Sequence, residues 1–401
     1  MTEVMTVTAS PVRSARRIDS LDLLRGSALL GILLVNISAF AYPIYAGLPP
    51  ATTWWDEVAL WLVSFLAEAK FFVLFSFLFG YGLSVQIERA RMREQDLGPR
   101  YRRRLLGLFG FGLAHAVFLF FGDILMCYAV LGAVLWWMRA WTPRQLLWFT
   151  LGMLVVAALA FAVLGSEALV AAGQTPTDVY LASAAQRAYL GSWLDSVLQR
   201  VVDLVVVTPF LLLYNWPAAL AMFALGLAAG KIGVLQHLDR YWLLFKCVLP
   251  WALALGLAGN ALYASLPWLR GVVDPAMVWL GMPATAQVAF SGPALTFCFI
   301  MALLWAGRAQ RFARLRALFR AAGRMSLTNY LGQSVLCGLL FNGVGLALYG
   351  QVSPAGLFAL AVGLFFLQAI VSRWWLARFR YGPLEWLLRA WTYRAWPPMR
   401  G

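Results

Sequence analysis

Apolar stretches long enough to cross a hydrocarbon core of roughly 30 Å recur at 22–42, 57–85, 105–122, 124–139, 146–164, 204–229, 243–264, 286–306, 325–348 and 355–376, with polar or basic residues between them. The pattern predicts an all-α polytopic membrane protein with about ten transmembrane helices, in a single integral membrane domain over 1–401. An N-terminal half to about 164 and a C-terminal half from about 204 flank a connection over about 165–203. Two stretches are irregular. Glu68 and Lys70 interrupt 57–85, but either piece alone is short for a span, so one long helix is expected. Residues 204–229, preceded by Asp203, contain Pro209, Asn215 and Pro217, which predict a kinked span or a short dip before a full crossing.

Two shorter helices complete the pattern. In the connection, Leu190, Trp193, Leu194, Val197 and Val201 recur at helical spacing, as in an amphipathic helix lying on the membrane surface as a lid or rim. In the tail, Pro383 suits a first helical position, Glu385 complements a helix N-terminus, and Trp386 and Trp391 suit an interface.

Composition agrees with the pattern: of 401 residues 62% are hydrophobic and 12% charged, with mean hydropathy +0.75. The net charge of +15 raises the question of a nucleic-acid partner, but its distribution argues against one. Basic residues gather at every second connection: Arg13, Arg16 and Arg17; Arg89 to Arg104; Arg139 and Arg144; Lys231, Arg240 and Lys246; Arg308 to Arg324; and Arg378 to Arg400. The connections between carry only Arg187, Arg200 and Arg270. The positive-inside rule then places both termini in the cytoplasm, with an even number of spans and with anionic lipid headgroups as partners of the basic clusters. No small-residue cleavage site follows the first span, which is expected to be retained. Cys127, Cys247, Cys298 and Cys337 lie in or beside apolar spans without paired spacing, which argues against a zinc ribbon and for packing roles.

Polar groups at membrane depth mark the candidate chemistry, because a charge there is costly. Asp22, Arg25 and Asn36 lie in the first span, with Arg25 and Asn36 on one face and Asp22 one turn below Arg25. His115 falls about mid-membrane in the third span, at a depth that Glu68 and Lys70 reach from the other direction, so a histidine–carboxylate pair of His115 and Glu68 is expected. Asp123, in Phe121-Gly122-Asp123-Ile124, reads as a turn former and helix cap about 12 Å outward of His115, too far to touch it. Ser326, Asn329, Gln333 and Cys337 share one face of the ninth span, either joining helices or walling a cavity. No Walker loop, dinucleotide fingerprint, His-Glu-x-x-His or Gly-x-Ser-x-Gly element occurs, which disfavours kinases, zinc proteases and ordinary serine hydrolases.

Several motifs resemble the YeiB-like family of bacterial inner-membrane proteins: Arg17-Ile18-Asp19-Ser20-Leu21-Asp22-Leu23-Leu24-Arg25-Gly26 through Asn36, Gly112-Leu113-Ala114-His115 with Gly122-Asp123-Ile124-Leu125, Gly323-Arg324-Met325-Ser326-Leu327-Thr328-Asn329-Tyr330, and Arg380-Tyr381-Gly382-Pro383-Leu384-Glu385-Trp386. The Arg25 to Asn36 spacing also resembles, more distantly, the first-span motif of membrane acyltransferases that acetylate heparan sulfate or decorate bacterial envelope glycans. Bacterial members commonly have histidine at the second position; Asn36 cannot act as a base at neutral pH, so His115 becomes the candidate base by its chemistry.

This resemblance implies an acyltransferase moving an acyl group from a cytosolic acyl-CoA to a membrane or envelope acceptor, with no bound cofactor. The expected catalytic set is His115, Glu68 and Asp123. Asp22, Arg25, Asn36, Lys70, Asn329, Gln333 and Arg324 are the expected donor-binding and path-lining residues. A small-solute or proton-coupled transporter and a non-catalytic scaffold are the alternatives.

Overall fold

A computed structural model describes residues 19–47, 49–170, 176–269, 281–306 and 310–400. Arg13, Arg16, Arg17, Arg270 and Arg308, used above for orientation, lie outside the described residues. The described chain is helical, without named strands: α1 Asp19–Ala41, α2 Trp54–Leu66, α3 Phe71–Met92, α4 Gly98–Phe118, α5 Leu125–Trp137, α6 Pro143–Val170, α7 Pro176–Leu190, α8 Trp193–Lys231, α9 Leu238–Leu269, α10 Gly281–Ala286, α11 Val288–Ala306, α12 Ala313–Arg324, α13 Ser326–Phe341, α14 Pro354–Leu376 and α15 Pro383–Tyr393. Among the described residues seven segments are long and apolar enough to cross a membrane: 19–41, 54–92, 143–163, 193–213, 238–267, 282–306 and 354–376. Three of the expected spans fall on α4, α5 and α13, which are not among these seven.

The charge alternation of the sequence appears as two distinct ends of one bundle. At the arginine-rich end Arg103 Nε donates to the Thr392 carbonyl (2.8 Å), Lys231 Nζ to the carbonyls of Arg139 and Trp141 (2.7 and 2.6 Å), and Arg320 pairs with Asp19 at 2.5 Å. At the opposite end the Gly350 amide donates to Ala41 O and the Gly343 amide to Tyr189 O, each at 2.8 Å. Small residues let the central helices approach. A Cβ on Gly80 would meet the Phe223 carbonyl and one on Gly226 the Phe77 carbonyl, so α3 and α8 touch backbone to backbone.

Two expectations are corrected and a third is narrowed. The segment 57–85 is not one helix: α2 stops at Leu66 and α3 starts at Phe71, with Ala69 at φ +59° between them. Lys70 is the last residue before α3. In the break it is fully buried and donates to Ser64 O at 2.6 Å, near the end of α2. The amphipathic stretch around 190–201 is not a separate surface helix. Gly191 and Ser192 divide it, and the Ser192 hydroxyl and Asp195 form a capping box that starts α8 at Trp193. Finally, α8 runs unbroken from Trp193 to Lys231 with Pro209 and Pro217 inside it, so no dip precedes a crossing.

The tail helix matches its expectation and has a further contact. Pro383 stands at the first position of α15, whose Glu385 reaches across to the start of α13. There its carboxylate accepts from the amides of Leu327 (2.6 Å) and Thr328 (3.1 Å) and from the Thr328 hydroxyl (2.6 Å). A side chain from another helix thus caps α13, where Met325 offers no cap of its own.

Candidate functional site

The chain turns back sharply after α4. Its last turn ends at Phe118, and the amides of Leu119 and Phe120 both donate to His115 O, at 2.9 and 2.8 Å. A ring stack of Phe120 on Phe40, 4.0 Å between centroids, holds the reversal against α1. Gly112 allows the return: a Cβ there would lie 2.6 Å from both Asp123 Oδ2 and the Met126 amide. Asp123 therefore comes down beside His115 rather than standing a helical rise of about 12 Å away. The His115 Nδ1 to Asp123 Oδ1 distance is 2.8 Å, and this overturns the expectation that the two do not touch. The other oxygen, Oδ2, accepts from the Met126 amide at 2.7 Å, so Asp123 also caps α5 as predicted.

The second imidazole nitrogen is engaged as well. His115 Nε2 lies 2.7 Å from Ser334 Oγ on α13, which completes a chain Ser334–His115–Asp123. The Tyr330 ring, 4.9 Å from the imidazole, covers one side of it, and the Tyr330 hydroxyl accepts from the Ile124 amide at 3.3 Å. The His115 and Asp123 side chains are 0% and 2% exposed. With both nitrogens taken, the imidazole has no place for Glu68, whose carboxylate instead accepts from the Tyr263 hydroxyl at 2.8 Å. The expected His115–Glu68 pair is replaced by His115–Asp123.

Asp123 and Glu68 nevertheless face one space. A cavity of about 200 Å³ lies between α1, the α2–α3 break, the 122–124 turn, α5 and α8. Asn36, Glu68, Asp123, Tyr128, Asn215 and Tyr330 supply its polar wall. His115 stands behind Asp123 and does not line it. An imidazole hydrogen-bonded to a carboxylate is an arrangement that can share and move a proton.

The other predicted residues are distributed differently. Arg25 Nη1 lies 3.5 Å from Asp22 Oδ1, an ion pair at the arginine-rich end of α1. At 1.5 Å per residue it is about 16 Å along the helix from Asn36 at the cavity. Lys70 closes the helix break with its ammonium on Ser64 O and is not a cavity-lining residue. Asn329 donates to Ala322 O (3.1 Å) and Ser372 Oγ (2.9 Å), and Gln368 donates to Asn329 O (3.2 Å), so this stripe joins α13 to α12 and α14. Gln333 is buried on α13 and does not line the cavity. Arg324 Nη2 reaches Arg380 O at 3.5 Å at the arginine-rich end. Sequence reasoning missed Ser334, Tyr128, Tyr330, Asn215 and Trp216 as site residues. Tyr330, Ser334, Cys337 and Phe341 do recur at i, i+4, i+7 and i+11, a face adjacent to the one singled out.

Residues 229–395 match the model of a protein family of unknown function, DUF418. Over 97% of its length the chain is 32% identical to the uncharacterized protein YxaH of Bacillus subtilis (strain 168), of which it covers 97%. The chain belongs to the DUF418, YeiB-like family. It is also 31% identical to the uncharacterized protein YeiB of Escherichia coli (strain K12), across 94% of this chain and 97% of that one. A third relative, an uncharacterized 39.9 kDa protein of Bacillus acidopullulyticus, is 28% identical across 96% of each chain. No solved structure matches. In this DUF418 protein the matched segment contributes Tyr330 and Ser334, while His115 and Asp123 come from the half that precedes it.

Proposed function

We propose that this protein is a ten-span acyltransferase of the bacterial cytoplasmic membrane, with both termini inside, that transfers an acyl group from a cytosolic acyl-CoA to a hydroxyl or amine of a membrane or envelope acceptor. The observation that carries this reading is Asp123 among the residues around the cavity, its buried carboxylate held by His115, itself held by Ser334. The acceptor group loses its proton to Asp123 as it attacks the thioester carbon, His115 offsets the charge that moves, and the thiolate departs. Ser334 fixes the ring and its tautomer from behind. Arg25, paired with Asp22, is the group for the donor's phosphates at the arginine-rich end.

The test uses purified full-length protein and a series of acyl-CoAs. Binding to the folded state raises the melting temperature, by about 2.7 kcal/mol of stability at a hundred times the dissociation constant. Arg25→Lys weakens that effect because a point charge lacks the guanidinium fork, whereas Asp123→Asn keeps it and abolishes transfer. If no acyl-CoA of any chain length stabilises the protein, acyl transfer is wrong. A carrier is the second reading, favoured by one observation: the α2–α3 break lies at the cavity, as discontinuous helices do in transporters. Flux in proteoliposomes that Asp123→Asn removes, without acyl-CoA binding, selects it.

A further inference from the structure

The cavity lining combines acidic and aromatic side chains in a way that acyl transfer alone does not explain. Its acidic lining residues are Glu68 and Asp123, and among the described residues no lysine, arginine or histidine lines it. Lys70, two residues from Glu68, interacts with it electrostatically while its Nζ donates to Ser64 O outside the lining, and Arg25 stands about 16 Å along α1 from Asn36. Five aromatic side chains complete the wall: Phe71, Phe72, Tyr128, Trp216 and Tyr330. Ring faces attract cations through their quadrupole, and a set of rings around a desolvated site is the usual cage for an ammonium group. The carboxamides of Asn36 and Asn215 add oxygens that accept from N–H donors. The volume, about 200 Å³, is below the roughly 300–1,000 Å³ of sites for drug-sized ligands.

We infer that this cavity binds a small organic ammonium group, held between Glu68 and Asp123 and caged by Trp216, Tyr128 and Tyr330. The recognition is independent of acyl transfer. Resting on that reading, the same ligand is the acceptor, and the class narrows to a primary amine. The ammonium gives one proton to Asp123, the freed nitrogen attacks the thioester, a C–N bond forms as the C–S bond breaks, and the thiolate leaves. The second nitrogen proton is lost as the tetrahedral adduct collapses, so amide, thiol and one released proton balance the ammonium and thioester consumed.

The experiment is a melting titration of the full-length protein in detergent with four probes: ethylammonium, tetramethylammonium, the neutral isostere neopentyl alcohol, and acetate. Both cations raise the melting temperature in a saturable way, while the alcohol and acetate do not. Glu68→Gln, which keeps a hydrogen-bond acceptor for Tyr263, and Trp216→Leu each weaken the fitted cation affinity by about tenfold or more. Each variant's melting temperature without ligand reports folding, and Asp123→Asn serves as a second charge-removing variant should Glu68→Gln unfold. Equal stabilisation by the alcohol overturns the inference, as does cation binding that persists unchanged in both Glu68→Gln and Asp123→Asn. Cation binding without any acyl-CoA effect removes the acyltransferase and leaves the ammonium site standing; acyl-CoA binding without any cation effect does the reverse.

Discussion

The arginine-poor end is held by one buried carboxylate whose removal has a predictable cost. Asp203 on α8, 1% exposed, accepts from the Tyr45 hydroxyl at 2.8 Å, the Tyr189 hydroxyl at 2.6 Å and Gln199 Nε2 at 2.8 Å. Tyr45 belongs to the 44–46 turn after α1 and Tyr189 to α7, so three segments converge on one side chain. The adjacent Arg200, also buried, donates to Phe118 O at 3.1 Å and so ties the cluster to the end of α4, one turn from His115. Replacing Asp203 by Ala leaves the buried Tyr189 donor and the half-buried Tyr45 and Gln199 donors unpaired, at about 1–3 kcal/mol for the buried one and less where water reaches the others, so the loss is about 2–5 kcal/mol. Asp203→Asn retains one acceptor oxygen and falls between. Tyr45→Phe removes one donor and leaves the carboxylate with two, for about 1–2 kcal/mol. Thermal melting in detergent ranks the variants, and proteolysis near Gly191 reports whether α7 has come loose. The sharpest comparison is the triple change Tyr45→Phe, Tyr189→Phe, Asp203→Ala, which removes donors and acceptor together and is less destabilised than the sum of its parts. Additive losses in that triple variant, or an Asp203→Ala protein that melts with the wild type, would refute the hub.

Three further outcomes are expected. Glu385→Ala uncaps α13 and costs about 1–3 kcal/mol, while Glu385→Gln keeps an acceptor and costs less, all the more because burial pushes this carboxyl up; melting separates the two. Gly226→Leu forces α8 off the Phe77 backbone and lowers stability by more than about 3 kcal/mol, whereas Gly226→Ala costs about 1–3 kcal/mol; a wild-type melt for the leucine variant would show that α3 and α8 are not in backbone contact. Single cysteines at 95 and 178, probed in intact cells with an impermeant thiol reagent, label at 178 only; labelling at 95 alone inverts the proposed topology.

Hydropathy located the long helices well where one helix filled one apolar run. The first run, 22–42, became Asp19–Ala41 with Asp22 and Arg25 paired as their spacing implied. It failed where the backbone departs from a helix inside an apolar run. The break at 67–70 rests on a positive φ at Ala69, a residue whose helix propensity gives no warning of it. The His115–Asp123 contact was missed for a related reason. Converting eight residues into a rise along one axis presupposes that the helix continues, and α4 stops at Phe118 and folds back. Ser334 had no signal of its own, because a serine in an apolar helix looks the same whether it bonds an imidazole or its own backbone. The cavity's chemistry was divided among five segments of the chain, and only their packing brings Glu68, Asp123 and Trp216 to one wall.

The cap that Glu385 places on α13 also sets an order of manufacture. Ser334, which steadies the imidazole, lies two turns into that helix, some fifty residues of chain before the side chain that secures its start. During synthesis α13 leaves the ribosome with its first amides open, and they stay open until almost the last residues are translated. The Ser334–His115–Asp123 chain is therefore one of the last features of the molecule to become rigid. A nascent or C-terminally clipped chain carries every one of these residues without the cap, so a ribosome stalled before codon 385 yields an inserted protein whose Ser334–His115–Asp123 chain is not yet secured.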